Sequence, residues 1–194
     1  MFILASESQQ RLDILQQLDL PPGEVIGAGI NETPLKTETP RQTAMRLARA
    51  KAEAISNVRA GATILAADTV VAKGRRILSK PSSRDHAREI LKLLSGSAHR
   101  VHTAVCVLRD GNTIGAKTSV TRVSFKRLHL DEIESYLDTN EWNNRAGAYA
   151  IQKTGERFVR RLDGSFSGAS GLPMRETLEL LQAAGVEVAR KCAA

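Results

Sequence analysis

The sequence predicts an α/β fold built on a mixed sheet, and three observations carry that expectation. Apolar runs of strand length alternate along the chain with segments whose apolar residues recur every three to four positions. A strong hairpin signal, Asp110-Gly111, separates two alternating runs, so an antiparallel pair is inserted among the strand–helix units. No internal repeat, low-complexity tract or linker interrupts the 194 residues, so 1–194 reads as a single domain with 42% apolar content to fill its core.

Residues 2–5 read as a short buried strand. From 8 to 18, Leu12, Leu15 and Leu18, with Ile14 beside them, form a helical stripe that Pro21-Pro22 ends. Residues 30–39 are polar and loop-like. Thr39-Pro40 starts a helix reaching about residue 58, because Thr caps well and Pro suits the first helical position. Ala44, Leu47, Ala48 and Ile55 are expected on its inward face. Residues 63–72, "TILAADTVVA", form an apolar strand broken by one acid, Asp68. Ser83 opens a helix carrying Ala87, Ile90, Leu91 and Leu94 that stops at Gly96. Strands at 101–108 and 117–125 flank the hairpin turn. Asp131 and Glu134 have the spacing of a capping box for a helix through Leu137. A strand at 157–162, a Gly/Ser-rich loop at 163–171 and a helix from Pro173 to Gly185 complete the chain.

Composition removes several function classes. No stretch approaches 18 continuous apolar residues, so no membrane span is expected. No basic region leads into an apolar stretch at the N-terminus, which argues against a secretory signal. Cys106 and Cys192 follow no metal or disulfide pattern, as in a reduced, cytoplasmic protein. The 28 basic and 21 acidic side chains leave a net charge of +7, which attracts polyanions. Only 4% of residues are aromatic and no compact Lys/Arg run occurs, which favours a small polyanion such as a nucleotide over nucleic acid. The four histidines lack HxxxH or HxxE spacing, and Gx4GK[ST], GxGxxG and GxSxG are absent, so zinc, P-loop, Rossmann and hydrolase-elbow readings lack their defining residues.

Asp68 is the most informative position. An acid at the end of an apolar strand is costly unless it is paired or bound to metal, and strand ends line ligand crevices in open α/β folds. Satisfaction by backbone donors or a lysine is the structural alternative. Glu32 stands in a loop with no structural demand for an acid; with Asp68 it offers the few hard oxygens that Mg²⁺ takes. Lys51 falls on or near the inward face of its helix, and Lys80 precedes a proline that keeps the backbone extended. Each is a surface lysine or part of a triphosphate cradle. Ser6, Ser8 and Arg11 occupy a strand-to-helix corner, which presents N–H groups and a positive helix end to an anion; a plain helix cap is the alternative for Ser8.

In order along the chain, "ILASESQQRLDIL", "NETP…TPRQTAMRLARAKA", "AADTVV", "SKP", "ILKLLSGSAHRVHTAV", "RAGAYAIQ" and "GSFSGASGLPM" resemble the Maf family, nucleoside triphosphate pyrophosphatases first described as septum-formation inhibitors. The resemblance implies a Maf/ITPase-like elongated mixed sheet flanked by helices, with two lobes around a central cleft, usually as a homodimer. It implies hydrolysis of a nucleoside triphosphate to the monophosphate and pyrophosphate with Mg²⁺ or Mn²⁺. By resemblance, Asp68 is the general base, Glu32 a metal ligand with Asp68 beside it, and Ser6, Arg11, Lys51 and Lys80 phosphate contacts. Thr69 and Gln152 match positions associated with base selection, and resemble the branch acting on dTTP and UTP rather than that acting on 7-methyl-GTP. The chain departs from the family pattern at Gln10, where a cation or an aromatic is usual, at Asn31, where an acid is common before Glu32, and at Ser79, where Gly usually precedes Lys-Pro. The competing readings are a division regulator that binds nucleotide or nucleic acid with little turnover, and a purine-directed pyrophosphatase acting on 7-methyl-GTP, ITP or XTP.

Overall fold

In the computed structural model, which describes residues 1–188, a seven-stranded mixed sheet runs through the molecule in the order β2-β1-β3-β5-β6-β7, with β4 pairing beside β3. β1 (Ile3–Ala5) lies parallel to β2 (Glu24–Val25) and to β3 (Thr63–Lys73); β4 (Arg76–Leu78), β5 (Ala98–Arg109), β6 (Asn112–Phe125) and β7 (Val159–Asp163) are antiparallel to their neighbours. Asp110 and Gly111 both have positive φ, +50° and +77°, the geometry that turns a two-residue hairpin with the twist of its strands.

One edge of β3 pairs with β5 along its length. The other edge is shared: β1 takes residues 64–66 and β4 takes 71–73. Between those partners the ladder is open at residues 67–70, and Asp68 and Thr69 stand in the gap.

The helices cover the sheet in three apolar clusters. On one face, α2 (Pro40–Ser56) lays Ala44, Ala48, Ala52 and Ile55 on Ile64, Ala66, Ala104, Cys106 and Leu108. The alanines let this helix approach the strands closely. Its start is fixed by the Thr39 hydroxyl, which accepts from the Gln42 N–H at 3.3 Å, while Gln42 Oε1 accepts from the Thr39 N–H at 2.9 Å. On the other face, Leu15 of α1 (Gln9–Gln17) and Leu180 and Leu181 of α6 (Met174–Ala183) pack on Leu65, Ala67, Val105 and Val107. At the far end, α3 (Arg84–Leu94) and α4 (Leu130–Leu137) bury Ile90, Leu91, Leu94, Ile133 and Tyr136 against Val101, Val123, Phe125 and Phe158. Each fully buried Leu or Ile of this kind contributes about 1.5–3 kcal/mol.

The structure corrects several sequence expectations. The cap of α4 lies two residues earlier than Asp131: the His129 N–H donates to Glu132 at 3.1 Å, and Glu134 is instead gripped by Arg84 and Arg88 of α3. The segment 163–171 is not all loop, because Ser165 accepts from the Gly168 N–H at 2.9 Å and starts the short helix α5 (Phe166–Ser170). β2 and β4 were not expected, and Cys192 lies outside the described residues. Among those residues, no helix is long and apolar enough to cross a membrane.

Hydrogen bonds from Arg88, then from Arg84, outweigh desolvation and hold the Glu134 carboxyl at about 2. A carboxyl depressed in the folded state contributes stability that is present above the ordinary glutamate value of about 4.3 and lost as pH falls toward the folded value. Melting temperatures should therefore drop between about pH 4.3 and pH 2, and Glu134→Gln should flatten part of that fall. A fall of equal size in the variant would show that this cluster does not link α3 to α4 as described.

Candidate active site

A cleft of about 760 Å³ opens at the gap in β3. Its walls are the β1–α1 corner, the loop at 27–34, β4 with the residues after it, and the segment 144–152. Asp68 follows Ala66 on the α2 face, whereas Thr69 follows Ala67 on the opposite face. With no strand bonded to the β3 edge opposite β5 at these positions, both side chains line the cleft.

The acid at 68 meets the helix lysine. Lys51 is 9% exposed and Asp68 6%, and Lys51 Nζ donates to Asp68 Oδ1 at 2.6 Å. The same ammonium stands 2.5 Å from Glu32 Oε1, and Lys80 Nζ is 3.4 Å from Glu32 Oε2. Burial pushes the Glu32 carboxyl up, but the Lys51 hydrogen bond and the charges of Lys51 and Lys80 hold it below the ordinary range. Among the described residues, no group of three or more His, Cys, Asp or Glu is placed to hold a metal ion. Glu32 and Asp68 nevertheless converge on one point, occupied by an ammonium. Two convergent carboxylates suit a hard divalent ion whose remaining ligands are waters and substrate phosphates.

The corner after β1 is organised around Arg11. Its Nε donates to the Gly171 carbonyl at 3.0 Å, its Nη1 to Ser6 Oγ at 2.8 Å and its Nη2 to Thr69 Oγ1 at 3.4 Å. Burial lowers its pKa, and only the more distant fields of Asp68 and Glu32 oppose the shift. Every direct partner is neutral, so the guanidinium has charge left for an anion. Ser8 occupies the N-cap position of α1, but its hydroxyl makes no cap bond and instead donates to Gln10 Oε1 at 3.2 Å. The first N–H groups of the helix thus lack a capping side chain, and a helix end in that state attracts anions.

Thr103 Oγ1 donates to the Gly168 carbonyl at 2.7 Å and lies 3.1 Å from Thr69 Oγ1. With the Thr103 proton so committed, Thr69 must donate to Thr103, which leaves the Thr69 oxygen an acceptor.

A family model described as Maf-like protein matches residues 1–184. The chain belongs to the Maf family. This Maf chain is 47% identical over 189 residues to a protein of Chelativorans sp. named dTTP/UTP pyrophosphatase, covering 94% of the chain and 90% of the relative. A protein of Paramagnetospirillum magneticum with the same name is 48% identical over 183 residues, covering 94% and 96%. One of Ehrlichia canis, named nucleoside triphosphate pyrophosphatase, is 41% identical over 179 residues, covering 92% and 93%. A solved HAM1 protein from Coxiella burnetii superposes with a TM-score of 0.50 at 14% identity, covering 94% of the chain and 99% of that structure, a likeness of fold.

The cleft of the Maf chain brings together the residues singled out in the sequence: Ser6, Ser8, Arg11, Glu32, Lys51, Asp68, Thr69, Lys80 and Gln152 all line it. Asn31 accepts from the Thr33 N–H at 2.9 Å and shapes the loop that carries Glu32. Sequence reasoning missed Tyr149 and Arg145. Tyr149 lines the cleft with its hydroxyl 2.7 Å from His99 Nε2. Burial, then the charge of Lys73, pushes His99 down to about 4, so this partner is a neutral imidazole near pH 7. The only local signal for either residue was the "RAGAYAIQ" stretch that holds both.

Proposed function

We propose that this Maf chain hydrolyses nucleoside triphosphates at the α–β phosphate bond, releasing the monophosphate and pyrophosphate, with dTTP and UTP as preferred substrates. The observation that carries the reading is the meeting of Lys51, Glu32 and Asp68 within 2.6 Å contacts beside a half-buried Arg11 bonded only to neutral acceptors. A triphosphate needs cations and N–H donors along one wall, and phosphoryl transfer depends chiefly on positioning and charge neutralisation.

In this reading Ser6, Arg11, Lys51, Lys80 and the start of α1 bind the phosphate chain, with the Ser8 hydroxyl at its edge. Asp68 removes a proton from water as the water oxygen bonds to the α-phosphorus. The bond from that phosphorus to the bridging oxygen breaks, and its electron pair leaves with pyrophosphate. Lys51 holds Oδ1 of Asp68 and so fixes the plane of the carboxylate. Glu32 and Asp68 would hold Mg²⁺ or Mn²⁺, which supplies charge neutralisation at the phosphates.

Two features support the pyrimidine preference. The acceptor oxygen of Thr69 complements the N3–H of thymine or uracil, and the Gln152 amide has no protein hydrogen-bond partner among the described residues, leaving donor and acceptor for a base edge. Names of close relatives point the same way. The reading takes the chain as one domain, because one cleft draws on residues from Ser6 to Gly171.

The test is a pyrophosphate-release screen over ordinary, methylated and deaminated nucleoside triphosphates, with Mg²⁺ and with excess chelator. We expect release from dTTP and UTP that chelator abolishes. Faster release from 7-methyl-GTP or ITP would overturn the substrate assignment, and binding without release from any nucleotide would favour a regulator.

A further inference from the structure

The cations lining the cleft fall into two kinds. Lys51 and Lys80 face carboxylates, whereas Arg11 and Arg145 contact neutral acceptors. We propose that Arg145 is a further phosphate-binding residue, parked on the neutral Gln10 amide in the free protein and passed to the substrate's phosphate chain when the cleft fills. The inference rests on the pyrophosphatase reading.

Three observations carry it. Arg145 Nη1 donates to Gln10 Oε1 across 135 positions of sequence, so the contact joins two walls of the cleft. Gln10 belongs to the first turn of α1, one residue from Arg11, so the guanidinium already stands at the positive corner proposed to hold phosphates.

Second, the charge of Arg145 is half-buried and uncompensated. Among the described residues no carboxylate lies within ion-pair distance of it. Glu141 acts on it only through its field, and Glu141 Oε2 is occupied by the N–H and hydroxyl of Thr154 at 3.0 and 2.8 Å. Desolvation lowers the pKa of Arg145, and the fields of Tyr136 and Glu141 oppose it. A partly desolvated cation held by one amide gains more from an anion than a paired one does. Exchanging the amide for a phosphate gives the guanidinium an opposite charge and the geometry for two parallel N–H···O bonds.

Third, the backbone around Arg145 is bent at a cost. Asn144, Gly147 and Ala148 all have left-handed φ, of +57°, +74° and +60°. For Ala148, which unlike glycine carries a Cβ, that conformation is strained. Gly147 lies so close to β3 that a Cβ would come 2.8 Å from Val71 Cγ1. Strain held by tight packing is a mark of segments that aim a side chain at a site.

The test compares Arg145→Gln, Arg145→Ala and Gln10→Ala by steady-state kinetics on dTTP, and titrates wild type and Arg145→Gln with inorganic triphosphate by calorimetry. Both Arg145 variants should raise KM by about tenfold or more, the effect of losing a charged hydrogen bond, with kcat changed less than about threefold. Gln10→Ala should leave KM unchanged or lower it, because it removes a competing acceptor. If the contact merely clasps the two walls, Gln10→Ala will raise KM as much as Arg145→Gln does, which overturns the proposal, as does an unchanged KM in the Arg145 variants. The calorimetric arm needs no turnover: weaker triphosphate binding by Arg145→Gln supports the assignment and equal binding overturns it. If wild type releases pyrophosphate from no nucleotide, the pyrophosphatase reading fails while that titration still decides the role of Arg145.

Discussion

Asp68→Asn is expected to lower turnover of dTTP by about 10²–10⁴-fold, the range that a positioned general base contributes. Asn has the same shape and keeps an oxygen for the Lys51 hydrogen bond, but it cannot take a proton from water. The change also removes one of the two charges that face Lys51 Nζ. Glu32 still pairs with that ammonium, so the stability loss should stay near 2 kcal/mol, the scale of a charge-assisted hydrogen bond. At roughly 2–4 °C per kcal/mol for a chain of this size, melting should fall by about 4–8 °C. Nucleotide binding, measured without turnover, should persist. Full activity in this variant would remove Asp68 from the role of base.

Lys51→Met should be worse for the fold. Asp68 is 6% exposed and has no other direct ion-pair partner among the described residues, so the variant leaves a buried carboxylate uncompensated, with Glu32 nearby. Breaking a buried pair in this way costs about 3–5 kcal/mol, which corresponds to roughly 6–20 °C in melting temperature. Mg²⁺ should raise the melting temperature of the variant more than that of wild type, where Lys51 competes for the same oxygens. A variant as stable as wild type at pH 7, or one indifferent to Mg²⁺, would contradict the electrostatic arrangement described here.

What was legible in the sequence followed from local chemistry. Thr39, Pro40 and Gln42 carry a helix start in their own side chains, and the structure places α2 at Pro40–Ser56. Asp110-Gly111 fixes a hairpin because both residues tolerate positive φ. Asp68 stood out as the one acid within an apolar strand, and its burial beside Lys51 follows from the inward face of α2. The features that escaped sequence reading depend on tertiary partners. β2 is two exposed residues and β4 is three, too short for any periodicity, yet β4 is what leaves the gap in which Asp68 and Thr69 stand. α5 forms in a Gly/Ser stretch where Thr103 and Thr121 hydrogen-bond from the sheet to the Gly168 carbonyl and to that of its cap, Ser165. Arg145 lay within the "RAGAYAIQ" stretch, but its role was not legible there, since its contact to Gln10 spans 135 residues.

The products formed from dTTP by the wild-type chain in Mg²⁺ discriminate most sharply. Separated by ion-exchange chromatography, they should be dTMP and pyrophosphate in equal amounts, with no dTDP. Formation of dTDP and orthophosphate would place the attack at the γ-phosphorus and contradict the arrangement of Asp68, Lys51 and Arg11 around the α–β bond proposed here.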